Sequence, residues 1–118
     1  MKSLPENHSL FERDRIYYES KYSLSNYTKE LPLCIVVPSF NNIGNDRYIK
    51  VMQTIFYQKY SNYHIVFIDD VSTDETLNET KRYVKERNFD ENRIVYVRND
   101  VKRYATYNLR NAAHNYCN

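Results

Sequence analysis

Each of three apolar runs in this 118-residue sequence is followed directly by groups that can hydrogen-bond or ionise. Ser39, Asn41 and Asn42 come after CIVV (34–37), Asp69 and Asp70 after HIVFI (64–68), and Arg98, Asn99 and Asp100 after RIVYV (93–97). The adjacent carboxylates Asp69 and Asp70 are the most informative. Two acids at the end of a buried strand are costly unless they cap backbone amides, hold a metal or accept hydrogen bonds from a ligand. The plainer arrangement has Asp70 capping nearby amides and Asp69 in solvent. Residues 81–110 hold nine Lys/Arg against four Asp/Glu. That surplus suits a phosphate-bearing ligand, or simply a solvated helix face.

These residues need elements to hold them in one place. CIVV is continuously apolar and β-branched, the pattern of a strand buried on both faces, and HIVFI and RIVYV read as a second and a third strand. The first stops at Pro38. Ile49, Met52, Phe56 and Tyr60 recur at helical spacing over 47–60. Ser72-Thr73-Asp74-Glu75 has the form of a capping box and predicts a helix start, continued by Leu77, Lys81, Val84 and Asn88. A last helix carries Ala105, Leu109, Ala112, Ala113 and Tyr116 on its predicted inner face. The order β-α-β-α-β-α implies an α/β fold, half of a Rossmann-like parallel sheet with right-handed crossovers. Ligands in such sheets lie beyond the carboxyl ends of the strands, where all three polar clusters fall. Residues 1–32 read as a polar, Tyr-rich arm, in which Pro5 opens a short helix with Leu10, Phe11 and Tyr17 or Tyr18 on one side. Residues 33–118 form the domain.

Composition removes several alternatives. A single glycine cannot build a phosphate-binding P-loop or a Gly-x-Gly-x-x-Gly turn. The 13 tyrosines and 14 asparagines fit coding from AT-rich codons. A net charge of +2 is too balanced to imply nucleic acid or a membrane as partner. Receiver domains carry their acid pair after the first strand, which disfavours a phosphoacceptor role for Asp69-Asp70. Cys34 and Cys117 read as buried thiols rather than a disulfide, which favours a reducing compartment. His8, His64 and His114 form no metal site by spacing. With no signal-peptide core and no membrane-length apolar stretch, the expected location is cytoplasmic or otherwise soluble.

The strand CIVV with PSFNN, the strand HIVFI with DDVSTDET, and then RNDVKR and LRNAAHNYC together resemble glycosyltransferase family 2 over about residues 33–118. The resemblance implies a GT-A fold and a nucleotide-sugar donor, UDP-linked, whose sugar passes to an acceptor hydroxyl. By position, Phe40 matches the aromatic residue beside uracil, Pro38 and Ser39 lend backbone contacts, and Asp70 matches the carboxylate that accepts from the base N3–H. Asn41 stands in the same nucleotide-binding turn. Arg110 and Asn111 match the family's Arg-Asn near the donor phosphates. Arg103, opening that helix, faces the diphosphate with the positive helix end behind it. Val71 stands where the family has glycine.

The resemblance also implies a divalent cation, Mn or Mg, held by an Asp-x-Asp motif expected beyond Asn118. The expectation is therefore a donor-binding segment with no catalytic or metal-binding residue of its own, inactive alone. The competing expectation is a truncated, non-enzymatic module that acts through nucleotide binding or self-association, since half a sheet leaves an unpaired strand edge. A homodimer is expected under either reading.

Overall fold

IVFI (65–68) is apolar at every position because its strand is covered on both sides there. In the computed structural model, which describes residues 30–117, this segment is the middle of three parallel strands. They are β1 (Leu33–Ser39), β2 (Tyr63–Asp69) and β3 (Ile94–Arg98), in the order β1-β2-β3. The helices are α1 (Arg47–Phe56), α2 (Thr76–Glu86) and α3 (Tyr104–Asn115), with short 3-10 turns at Gly44–Asp46 and Glu91–Arg93.

Alternate residues of β2 serve two cores. Ile65 and Phe67 pack with Val37, Ile94, Met52 and Ile55 of α1 and Val84 of α2. Val66 and Ile68 pack on the other side with Ala112 of α3. All four β2 side chains are fully buried, each a gain of about 1.5–3 kcal/mol over exposure. Helices on both faces of a parallel sheet are the expected half-Rossmann arrangement. The predicted helix at Pro5 lies outside the described residues.

The boundaries and faces differ from expectation in five places. The strand β1 runs through Pro38, which an edge strand tolerates because it pairs on one side only. The helix α1 ends at Phe56, and Tyr60 lies beyond it, its hydroxyl donating to the Leu31 carbonyl. The helix α2 starts at Thr76, not at a Ser72 capping box. Ser72 gives its hydroxyl to Asp69, while Asp74 accepts from the Thr76 N–H at 3.0 Å. The buried residues of α2 are Thr76, Thr80 and Val84, with Leu77 packed beside them; of the predicted stripe Leu77 and Val84 face the core, whereas Lys81 and Asn88 are exposed. On α3 the buried residues are Asn108 and Ala112, and Leu109 is 48% exposed.

The expectation of two unpaired thiols is overturned. Cys34 and Cys117 form a disulfide, their Cα atoms 5.6 Å apart across a separation of 83 residues. The topology explains it. The helix α3 starts at the carboxyl edge of the sheet beside Asp70 and runs back over β1. It brings Tyr116 next to His64 and Cys117 next to Cys34 at the amino edge. Among the described residues no helix is long and apolar enough to cross a membrane.

Candidate functional site

Ser39, Asp69 and Arg98 are level with one another in the strand register, so the three polar clusters share one edge of the sheet. Asp69 is fully buried there, not in solvent. Its carboxylate pairs with Arg98 Nη1 at 2.5 Å and accepts from the Ser72 amide at 3.2 Å, and Arg98 Nη2 donates to the Ser72 carbonyl at 3.1 Å. This pins the turn after β2 onto β3. Within that turn Val71 adopts φ 63°, a left-handed conformation that costs a β-branched residue steric strain.

Asp70 is almost as buried, and both its oxygens are engaged. Oδ1 accepts from Asn99 Nδ2 at 2.9 Å and from the Arg103 amide at 2.8 Å, and Oδ2 accepts from the Tyr104 amide at 2.8 Å. Lys102 Nζ lies 3.8 Å from Oδ2. Burial pushes this carboxyl upward. The hydrogen bonds from Asn99, Arg103 and Tyr104, with the Lys102 charge, outweigh it and hold the group below the usual carboxylate range. Asn99 Nδ2 also donates to buried Asn108 Oδ1 at 2.7 Å, which extends the network into α3. Asp70 therefore caps α3, and the positive end of that helix is already met by a carboxylate.

Beside Asp70 lies a cavity of about 220 Å³ lined by Pro38, Ser39, Phe40, Asp70, Lys102, Tyr104, Ala105 and Asn108. The Lys102 ammonium sits 3.1 Å over the centre of the Phe40 ring, and that ring is 43% exposed. Four of the sequence-derived residues, Pro38, Ser39, Phe40 and Asp70, thus come together. Asn41 is turned elsewhere. Its side-chain oxygen accepts from the Thr73 amide at 2.8 Å and its own amide donates to Ser72 Oγ at 2.9 Å, tying the loops after β1 and β2 to each other. Arg103 contributes its backbone to Asp70, and its guanidinium lies 5.1 Å from the Tyr107 ring centre. Arg110 and Asn111 lie farther along α3, outside the cavity lining, with Asn111 Oδ1 accepting from Asn115.

Lys102 and Tyr104 escaped the sequence reading. The signal was present, since Lys102 belongs to the basic surplus and adjoins Arg103. Which of the neighbouring cations reaches the cavity depends on the turn, in which Tyr104 takes φ 70°. A larger concavity of about 740 Å³ opens near Phe56, Tyr63, Phe89 and Arg93. Its rings are already stacked on one another and covered by Arg93, at the edge away from the polar strand ends. Size does not choose the site here; converging polar groups do.

Asp69 and Asp70 do not fit a divalent-cation site. Asp69 is closed off by Arg98 and Ser72, and Asp70 faces N–H donors and an ammonium. Three groups of metal-ligating type do converge elsewhere, Cys34, His64 and Cys117, with ligand atoms within 4.8 Å of one another.

Residues 34–118 match the sequence model of Glycosyl transferase family 2. Among solved structures the fold is similar to a mannosyltransferase from Pyrobaculum calidifontis, determined in complex with GDP-Man and Mn2+. The TM-score is 0.60 and the identity 18%, over 88% of this chain and 33% of that one. The chain thus spans about a third of the length of that structure. Among curated proteins none matches.

Proposed function

The chain belongs to glycosyl transferase family 2, and we propose that its carboxyl-edge cavity holds the base of a nucleotide-sugar donor, with uracil as the base. In the complete enzyme the donor's sugar would pass to an acceptor hydroxyl. The observation that carries this reading is the convergence of Phe40, Asp70 and Lys102 on one cavity. At about 220 Å³ the space suits a base rather than a whole nucleotide.

The three residues divide the work. Phe40 offers a ring face to the base, a contact worth about 1–3 kcal/mol. Asp70 already accepts three hydrogen bonds, and a carboxylate has roughly four lone-pair sites. One acceptor site then remains for a ligand N–H. Uracil offers a single such donor at N3, whereas guanine presents two side by side and adenine an amino group next to an acceptor. Lys102 must leave the Phe40 ring for the base to stack there. The lost cation–π contact, about 0.5–1 kcal/mol at an exposed site, is offset when the ammonium reaches the diphosphate. Arg103, Arg110 and Asn111 belong to the phosphate side of the same reading, while Pro38 and Ser39 line the cavity and Asn41 holds the loop. A divalent cation would offset charge on the leaving diphosphate, and the acids described above take no part in holding it.

Calorimetric titration of UDP, GDP and ADP tests the assignment. UDP should bind most tightly, and Phe40→Ala and Lys102→Ala should each weaken it by about tenfold, roughly 1.4 kcal/mol. Equal affinity for the three nucleotides, or UDP binding that is indifferent to Phe40, refutes the reading.

A further inference from the structure

We propose that Cys34, Cys117 and His64 form a thiophilic metal site when the cysteines are reduced, so that the same residues tie α3 to the sheet through a disulfide in oxidising surroundings and through a cation such as Zn2+ in reducing ones. This does not depend on the nucleotide reading, since the cluster lies at the opposite edge of the sheet.

The three side chains come from the start of β1, the start of β2 and the second residue past α3, and the fold alone brings them together. Their ligand atoms all lie within 4.8 Å. Tetrahedral zinc with Zn–S bonds near 2.3 Å places two sulfurs roughly 3.8 Å apart, so side-chain rotation suffices to open the pair around an ion. Two thiolates and an imidazole are a soft donor set that selects Zn2+ or Co2+ over Mg2+, Ca2+ or Mn2+. The thiolates also neutralise the divalent charge. His64 Nε2 lies 3.4 Å from the Tyr116 carbonyl oxygen, the kind of backbone partner that fixes the ring of a metal-bound histidine. All three residues are half-buried, which leaves water access to a fourth coordination position.

The chemistry balances simply. A dithiol or phosphine reductant supplies two electrons to the disulfide, and two protons from water complete the thiols. Those protons return to solvent as the thiolates bind the cation. The need for a tie is also visible, because α3 buries only Asn108 and Ala112 against the rest of the fold.

Co2+ titration of the whole chain, oxidised and phosphine-reduced, provides the test. The reduced chain should bind one Co2+ with thiolate-to-cobalt absorption, Zn2+ should displace it, and the oxidised chain should bind none. His64→Ala should weaken binding by at least about tenfold, and Cys34→Ser should remove most of the thiolate band. Zn2+ should raise the melting temperature of the reduced chain alone. The proposal is overturned if the reduced chain takes up no Co2+, if the oxidised chain takes up as much, or if both variants bind as wild type. Should the reduced chain lose its circular dichroism, recovery on adding Zn2+ supports the site and failure to recover overturns it.

Discussion

Replacing Asp70 by Asn removes one charge and exchanges one acceptor for a donor, at a group whose partners are all donors. In the wild type, Oδ1 serves Asn99 and the Arg103 amide while Oδ2 serves the Tyr104 amide, all at 2.8–2.9 Å. The single oxygen of Asn can take one of these sets. The amide NH2 then meets the other, donor against donor. At least one buried N–H is left unsatisfied, at about 1–3 kcal/mol, and the retained bonds lose their charge assistance. The expected cost is about 2–4 kcal/mol, a large share of the 5–15 kcal/mol typical of a folded domain.

Urea denaturation at neutral pH reads the loss directly, and acid titration gives an independent check. The folded carboxyl titrates below its ordinary value of 3.8. Its contribution is therefore complete above that value and disappears as pH falls through the folded pKa. Asp70→Asn should lack that part of the acid transition. An exposed helix cap tolerates Asp and Asn about equally. A loss under about 0.5 kcal/mol with an unchanged acid slope would mean that Asp70 is such a cap, and the reasoning from its burial would fail.

Three further outcomes are expected. Val71→Gly should stabilise the chain by about 0.5–1 kcal/mol, since it relieves roughly 1–2 kcal/mol at φ 63° against the entropy of an added glycine; a lower denaturation midpoint would contradict this. Cys117→Ser should destabilise the oxidised chain by up to about 4.5 kcal/mol from the loop-closure entropy of an 83-residue separation; a calorimetric melt unchanged between variant and wild type would refute it. Thr80→Val should be neutral or stabilising by about 1 kcal/mol, because the buried Thr80 hydroxyl has no hydrogen-bond partner among the described residues; a clear fall in melting temperature would reveal a partner.

The sequence carried the strands and their order well, because a fully covered strand has no polar side to obscure it and β2 is covered by both cores. The helix faces were harder. On α2 the inward stripe begins with two threonines, which read as polar although they are wholly buried. On α3 the inward residue Asn108 is held by Asn99, so apolar spacing pointed to Leu109 instead. The acid pair was located correctly, but its partners come from β3 and the turn into α3, about 30 residues away. Lys102 and the Cys34–Cys117 bridge were hidden for the same reason. Each depends on where a later segment returns to the sheet, and local pattern holds no record of that.

The helices are fastened in different ways. The first two are attached by area, through Met52, Ile55 and Val84 in a shared core. The third is a strut pinned at its two ends, by an ionised carboxylate at one and a sulfur–sulfur bond at the other, with little seated between. Burial is insensitive to acid and to electrons, whereas both pins respond to one of them. Low pH and a reductant together should therefore loosen α3 first, uncovering Val66 and Ile68, while α1 and α2 keep the other face of β2 buried. Amide exchange should then run through Tyr104–Asn115 long before it reaches Ile65–Ile68.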